Sequence, residues 1–221
     1  MCGRFNLRTP MTVLAEQFVF DLGPLAGEAF PPRYNIAPTQ KVAAVRLVDR
    51  KRQLAMLHWG LVPNWAKDLK MGINTINARA DSVADRPVYR AAYEKRRCLV
   101  LADGYYEWEK VGKAKLPWMY EVDGGKPFAF AGLWECWQGD KPYAWESCAT
   151  ITTDANELAT YVHTRMPVIL DPAHYDAWLA GEQIPLVPFP ADRMTAKPVS
   201  TFLNNARNEG PECIEPREEL K

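Results

Sequence analysis

The chain has 221 residues, 48% of them hydrophobic, with Lys+Arg and Asp+Glu balanced at 27 each, so composition suits a soluble globular protein and whole-chain charge gives no sign of a nucleic-acid partner. Five scattered cysteines (Cys2, Cys98, Cys136, Cys148 and Cys213), odd in number and without a C-x-x-C, exclude a disulfide framework and a zinc site. No stretch is long and apolar enough to span a membrane and Met1-Cys2-Gly3-Arg4 does not open a signal peptide, so a cytoplasmic chain with reduced thiols is expected.

In chain order, Thr9–Phe20 carries apolar residues at Val13, Leu14, Phe18 and Val19 and predicts an amphipathic helix. Pro31–Gln40 reads as loop, and Lys41–Val48 with Gln53–Trp59 as a hairpin around Asp49-Arg50-Lys51-Arg52. Asp81–Arg96 predicts a second helix, with Pro87 as a reason to split it. Bases outnumber acids between Arg79 and Arg97, which suggests a local basic face, although a solvated surface is the commoner reading of such a run. Five strands follow: Cys98–Ala102, Tyr105–Lys110, Trp118–Val122, Phe128–Trp134 and Trp145–Thr152. Asp154-x-x-Glu157 looks like a capping box opening a helix through Tyr161, and Asp171-Pro172 opens another ending near Gly181. Ile184–Pro198 is proline-rich loop, and the tail from about residue 209 leans acidic. With no repeat and no composition break, one α+β domain over residues 1–221 is expected, built on a twisted, barrel-like antiparallel sheet with short flanking helices.

Cys2 is the first candidate for chemistry. Loss of Met1 would put a free α-amine and a thiol on one residue, a 1,2-aminothiol that condenses with an aldehyde to an imine and closes to a thiazolidine. A small second residue that merely permits methionine trimming is the competing reading. His163, at the exit of a helix into a strand, titrates near neutrality, whereas His58 and His174 look structural. Glu107, among aromatic neighbours on a strand, has its pKa raised if buried and does nothing if strand alternation turns it to solvent. Asn77 and Arg79 offer an amide and a guanidinium just before a helix, although turn formation explains the asparagines equally well.

Six motifs occur in one order: Met1-Cys2-Gly3-Arg4-Phe5, Arg33-Tyr34-Asn35-Ile36-Ala37-Pro38, Trp59-Gly60-Leu61-Val62-Pro63, Ile76-Asn77-Ala78-Arg79, Ala102-Asp103-Gly104-Tyr105-Tyr106-Glu107-Trp108 and His163-Thr164-Arg165-Met166-Pro167. Together they strongly resemble the SOS-response-associated peptidase (SRAP) family, the abasic-site-processing proteins. The resemblance implies a lyase-like enzyme whose exposed Cys2 captures the ring-opened aldehyde of an abasic site in single-stranded DNA as a thiazolidine cross-link. It implies Asn77, Glu107 and His163 around Cys2, with Glu107 as proton acceptor, His163 as acid–base and Asn77 orienting Cys2 or the sugar. It also implies Arg4, Asn35, Pro38, Arg79, Trp108, Thr152 and Arg165 as DNA-holding residues, and Trp65 as a wedge at a single-strand/double-strand junction. Where relatives carry a second aromatic, this chain has Ala66. No metal and no cofactor are expected, no membrane partner, a monomer, and a nucleoid association if the source is bacterial. Met1 would leave by self-cleavage or through an ordinary methionine aminopeptidase.

Two other classes compete. An N-terminal-nucleophile glutamine amidotransferase also opens Met-Cys-Gly, but the Asn-Gly pair that holds its oxyanion is missing from this chain. A non-enzymatic reader of modified or single-stranded DNA would keep the arginines and tryptophans without needing Cys2.

Overall fold

The computed structural model describes residues 2–139 and 142–217. Its first strand, β1 (Phe5–Leu7), leads to helix α1 (Met11–Phe18). Only Leu14 and Phe18 of that helix are buried, while Val13 and Val19 are exposed, and Val19 ends the helix in a left-handed conformation. The segment expected as loop before residue 41 contains a strand, β2 (Arg33–Ile36), which completes the outer edge of a sheet against β1. β3 (Lys41–Val48) and β4 (Lys51–Trp59) form the expected hairpin. Its turn shrinks to Asp49-Arg50, both at positive φ, which matches the twist of the paired strands better than a four-residue loop.

The helix expected over 81–96 reduces to α2 (Arg90–Lys95), because residues 81–88, through Pro87, run as turns; before it, β5 (Asn77–Arg79) is a strand. The run of strands is present and longer than expected: β6 (Arg97–Ala102), β7 (Gly104–Val111), β8 (Ala114–Val122), β9 (Phe128–Trp137) and β10 (Trp145–Asp154). No capping box forms at Asp154, which lies within β10. Asn156 Oδ1 accepts from Ala159 N at 2.8 Å ahead of a single 3-10 turn at Ala159–Tyr161. β11 (Arg165–Pro167) and β12 (Ile169–Leu170) follow. Asp171 then caps as expected, accepting from Ala173 N, and Pro172–His174 runs into α3 (Tyr175–Leu179). The end of the proline-rich stretch forms an edge strand, β13 (Met194–Pro198), paired with β8. Of the acidic tail, residues 218–221 lie outside the described residues, as does Met1.

Two sheets result. One has the order β13-β8-β7-β1-β2. The other runs β11-β10-β4-β3-β6-β9-β12, and β9 pairs again with β10, so β10, β4, β3, β6 and β9 close into a ring. The sheets are joined where the chain passes from β6 to β7 through Asp103. Its buried carboxylate accepts from the backbone N–H groups of Arg8 and Thr9 and from Thr9 Oγ1, so that corner is tied to the end of β1. Phe5 crosses between the sheets, edge-on to Trp59 at 5.0 Å and to Phe130 at 5.6 Å. Burying such a ring completely contributes about 1.5–3 kcal/mol, and here it also anchors the strand that starts three residues after Cys2.

The basic run between Arg79 and Arg97 does not form one face. Arg97 is buried, donating to Tyr93 O and Glu182 O and stacked against Tyr93 and Trp178, while Arg96 pairs with Glu135 at 2.6 Å. No described helix is long and apolar enough to cross a membrane.

Candidate active site

Cys2 reaches its position through β1. That strand runs antiparallel to β7 with Phe5 opposite Tyr105, and Tyr106 N donates to Arg4 O at 3.0 Å, so each step back along β1 moves one step forward along β7. The chain therefore meets the level of Glu107 as it approaches Cys2. Asn77 comes from the other sheet, on β5, parallel to β10 with Thr150 opposite Asn77. Asn77 Nδ2 donates to Cys2 O at 2.7 Å. Its amide is oriented by Thr150, whose hydroxyl donates to Asn77 Oδ1 at 2.6 Å, and Tyr89 OH donates to Asn77 O at 3.0 Å.

Burial governs the protonation of this centre. Glu107 is buried rather than turned to solvent, and burial lifts its carboxyl to about 7. The Cys2 thiol is pushed far above its ordinary value by burial and then by the neighbouring Glu107 carboxylate. His163 sits between the 3-10 turn and β11, where its Nδ1 accepts from Arg165 N at 3.0 Å, which leaves the proton of the neutral ring on Nε2. Burial holds that imidazole below its ordinary value. Burial thus moves the two groups in opposite directions, the Glu107 carboxyl above its ordinary range and the His163 imidazole below its own. Among the described residues, no cluster of His, Cys, Asp or Glu could hold a metal ion.

The residues expected to hold a ligand divide by depth. Trp65 and Arg79 are exposed and Pro38 is partly so. Arg4 is half-buried, donating to Asn35 Oδ1 at 2.6 Å and to Leu203 O at 3.2 Å, with its guanidinium 5.4 Å from the Trp108 ring. Trp108 in turn donates to Asn204 Oδ1 at 2.7 Å. Asn35 is buried, and its Nδ2 is shared among the carbonyls of Leu203, Asn205 and Asn208. It holds Arg4 from beneath instead of facing outward. Thr152, also buried, does the same for Arg165, which donates to its carbonyl at 2.5 Å and its hydroxyl at 3.2 Å. Asp81 pairs with Arg79 at 2.5 Å and lies 3.9 Å from Arg165, and Asp154 pairs with Arg165 at 3.2 Å. His58 is stacked on Trp145 with ring centres 3.7 Å apart.

Sequence reading missed Thr150, Tyr89 and Tyr105. Thr150 and Thr152 stand two apart on β10, a period-2 signal that pairs one with Asn77 and one with Arg165. Tyr105, on the same face of β7 as Glu107, is buried and stacked on Tyr120 at 4.9 Å, with its phenol raised by burial. Nothing in the sequence marks Tyr89, which contacts the site from outside any strand.

Comparison with known proteins places this architecture. The family model described as SOS response associated peptidase (SRAP) matches residues 1–206. The abasic site processing protein YoaM of Bacillus subtilis is 38% identical over 97% of this chain and 98% of its own length, and YoqW from the same organism 39% identical over 97% and 99%. The abasic site processing protein HMCES of Gallus gallus is 34% identical over 86% of this chain and 67% of its own. A solved structure from Bacteroides thetaiotaomicron, 24% identical, superposes with a TM-score of 0.88 over 98% of this chain and 100% of that one, which shows the shared barrel-like α+β fold. With its ordered motifs and nearly its whole length matched, the chain belongs to the SOS response associated peptidase (SRAP) family.

Proposed function

We propose that this protein processes abasic sites in single-stranded DNA by covalent capture at Cys2. The observation that carries the proposal is the convergence on Cys2 of the Asn77 amide, hydrogen-bonded at 2.7 Å, and the buried Glu107 carboxyl, in a family whose relatives are named for abasic-site processing.

Once Met1 is gone, the Cys2 amine attacks C1′ of the ring-opened sugar, forming a C–N bond as the aldehyde oxygen takes a proton. Loss of one water gives the imine. The thiol sulfur then adds to the imine carbon and its proton passes to nitrogen, closing the thiazolidine. A thiol held protonated by burial fits this order, because sulfur is not needed until the imine exists. A carboxyl near 7 is half ionised at neutral pH, so Glu107 can accept the proton leaving the amine and return one to the departing hydroxyl. His163, mostly neutral, serves the sugar through its ring proton. Asn77 holds the Cys2 carbonyl and so fixes where the amine and thiol point.

Arg4, Arg79 and Arg165 would meet backbone phosphates, Trp108 and Pro38 the exposed bases, and Trp65 the end of a duplex at a junction. Asn35 and Thr152 contribute by holding two of those arginines. Release of Met1 by the chain itself is a further reading that the family description favours.

The test mixes protein with an abasic oligonucleotide and measures intact mass. An adduct weighing the two partners less one water, stable to heat and lost in Cys2→Ala, supports capture. Reversible binding alone favours a reader, and glutamine hydrolysis favours the amidotransferase.

A further inference from the structure

Between Leu61 and Thr75 the chain leaves the sheet as a tongue and returns to almost the same point. Its neck is closed by Leu61 N donating to Thr75 O at 3.3 Å and by the Thr75 hydroxyl donating to Leu61 O at 2.6 Å. Gly60 and Gly72 cross there so closely that a Cβ on Gly60, whose φ is +136°, would lie 2.3 Å from Gly72 O. The tongue has its own small core, in which Val62, Ala66, Leu69 and Met71 pack on Trp137 and Trp145.

At the tip, Ala66 N donates to Pro63 O at 2.9 Å, which folds residues 63–66 into a turn. Ala66 is buried while its neighbour Trp65 is 55% exposed. Lys67 and Lys70 are exposed on the same excursion. A large apolar ring that folding leaves in water beside two cations is a contact surface in waiting. Its neighbour Ala66 is held from the sheet, because Trp137 Nε1 donates to Ala66 O at 2.8 Å. Trp137 has no freedom of its own. It is buried on β9, and Gly139 presses against the ring so tightly that a Cβ there would come within 2.0 Å of it.

We propose that Trp137 is the positioning residue for Trp65, its indole N–H fixing the tongue tip so that the exposed ring meets duplex DNA at a set angle. The inference rests on the reading above that Trp65 faces a junction. It adds a residue that touches no DNA and lies 72 positions along the chain from the ring it aims.

The experiment is a double-mutant cycle read as the ratio of cross-linking rate on a single-strand/double-strand junction to that on a plain single strand. Trp137→Phe keeps an aromatic ring but deletes the donor, and should lower the ratio about tenfold, the upper scale for one buried hydrogen bond. Gly139→Ala, which drives the ring aside, should lower it in the same direction. On a Trp65→Ala background both changes should leave the ratio where Trp65→Ala alone puts it. Hydrogen exchange of the amides of residues 64–70 should quicken in Trp137→Phe. An unchanged ratio, or equal losses with and without Trp65, would overturn the inference, and so would unchanged exchange. If Trp65→Ala itself leaves the ratio untouched while exchange still quickens, the junction reading has failed and the tether has not.

Discussion

The Cys2 centre and the arginine rim lie a few residues apart in sequence yet are built on opposite terms. Cys2, Asn77 and Glu107 are carried on or beside strands, and burial sets their protonation. Arg79 and Arg165 stand at strand ends with carboxylates for partners, Arg79 exposed and Arg165 largely covered. The centre spends folding energy to hold a carboxyl near 7, whereas the rim holds permanent charges that need only be released from Asp81 and Asp154. Chemistry that must pass protons needs a low-dielectric pocket. Contacts to a flexible polyanion work best where water and salt can exchange.

The largest effect should come from the buried half. Glu107→Gln keeps size and loses the base, so cross-linking should slow roughly 10²-fold or more. The wild-type rate should rise with pH through about 7, and that inflection should vanish in Glu107→Gln. Single-turnover rates across pH check both, and a retained inflection near 7 would move the controlling group elsewhere. His163→Ala should also slow the reaction about 10²-fold, yet keep the inflection near 7.

The same burial has a stability signature. A carboxyl raised in the folded state binds its proton more tightly there than in the unfolded chain, so its contribution is present below the ordinary carboxylate range and is lost as pH rises through about 7. Wild type should therefore lose on the order of 3 kcal/mol between pH 4 and pH 8 that Glu107→Gln retains. Denaturant titration at the two pH values measures it, and parallel losses in both proteins would show that Glu107 is not desolvated.

The rim should give smaller, salt-sensitive effects. Arg79→Ala and Arg165→Ala should each reduce the slope of log affinity against log salt for single strands by about 0.7, one phosphate's share. Asp81→Asn should act the other way, since it frees both arginines from a competing carboxylate. Affinity should rise no more than about fivefold, the ceiling for an exposed pair. A fall in affinity would mean that Asp81 orients the arginines instead of competing for them.

The parts legible in the sequence were those with strong local signals. The five strands from residue 97 onward alternate or run apolar between turn residues, and Asp171-Pro172 caps a helix as such a pair should. Strands β2 and β13 were hidden because each is a short edge strand in a proline-rich stretch, where pairing with a distant neighbour overrides local propensity. Cys2, Asn77, Glu107 and His163 were put forward as a set only by the family resemblance that the motif order carries. The depth of Glu107 was not readable, because strand alternation alone permits either face. Asn35 stood out as a polar residue in a recognisable motif, whereas Thr152 lies in none and came only with the family resemblance. Their real partners, the carbonyls of residues 203–208 and the Arg165 side chain, are visible only once the chain has folded.

The central claim is that Cys2 bonds covalently to the abasic aldehyde, and intact-mass spectrometry of the protein after incubation with an abasic single strand tests it most directly. The account predicts one adduct of protein lacking Met1 plus oligonucleotide minus one water, surviving heat, absent with undamaged DNA, and abolished by Cys2→Ala. A heat-stable adduct of the same yield in Cys2→Ala, or one mapping by peptide digestion to any residue other than Cys2, would contradict it.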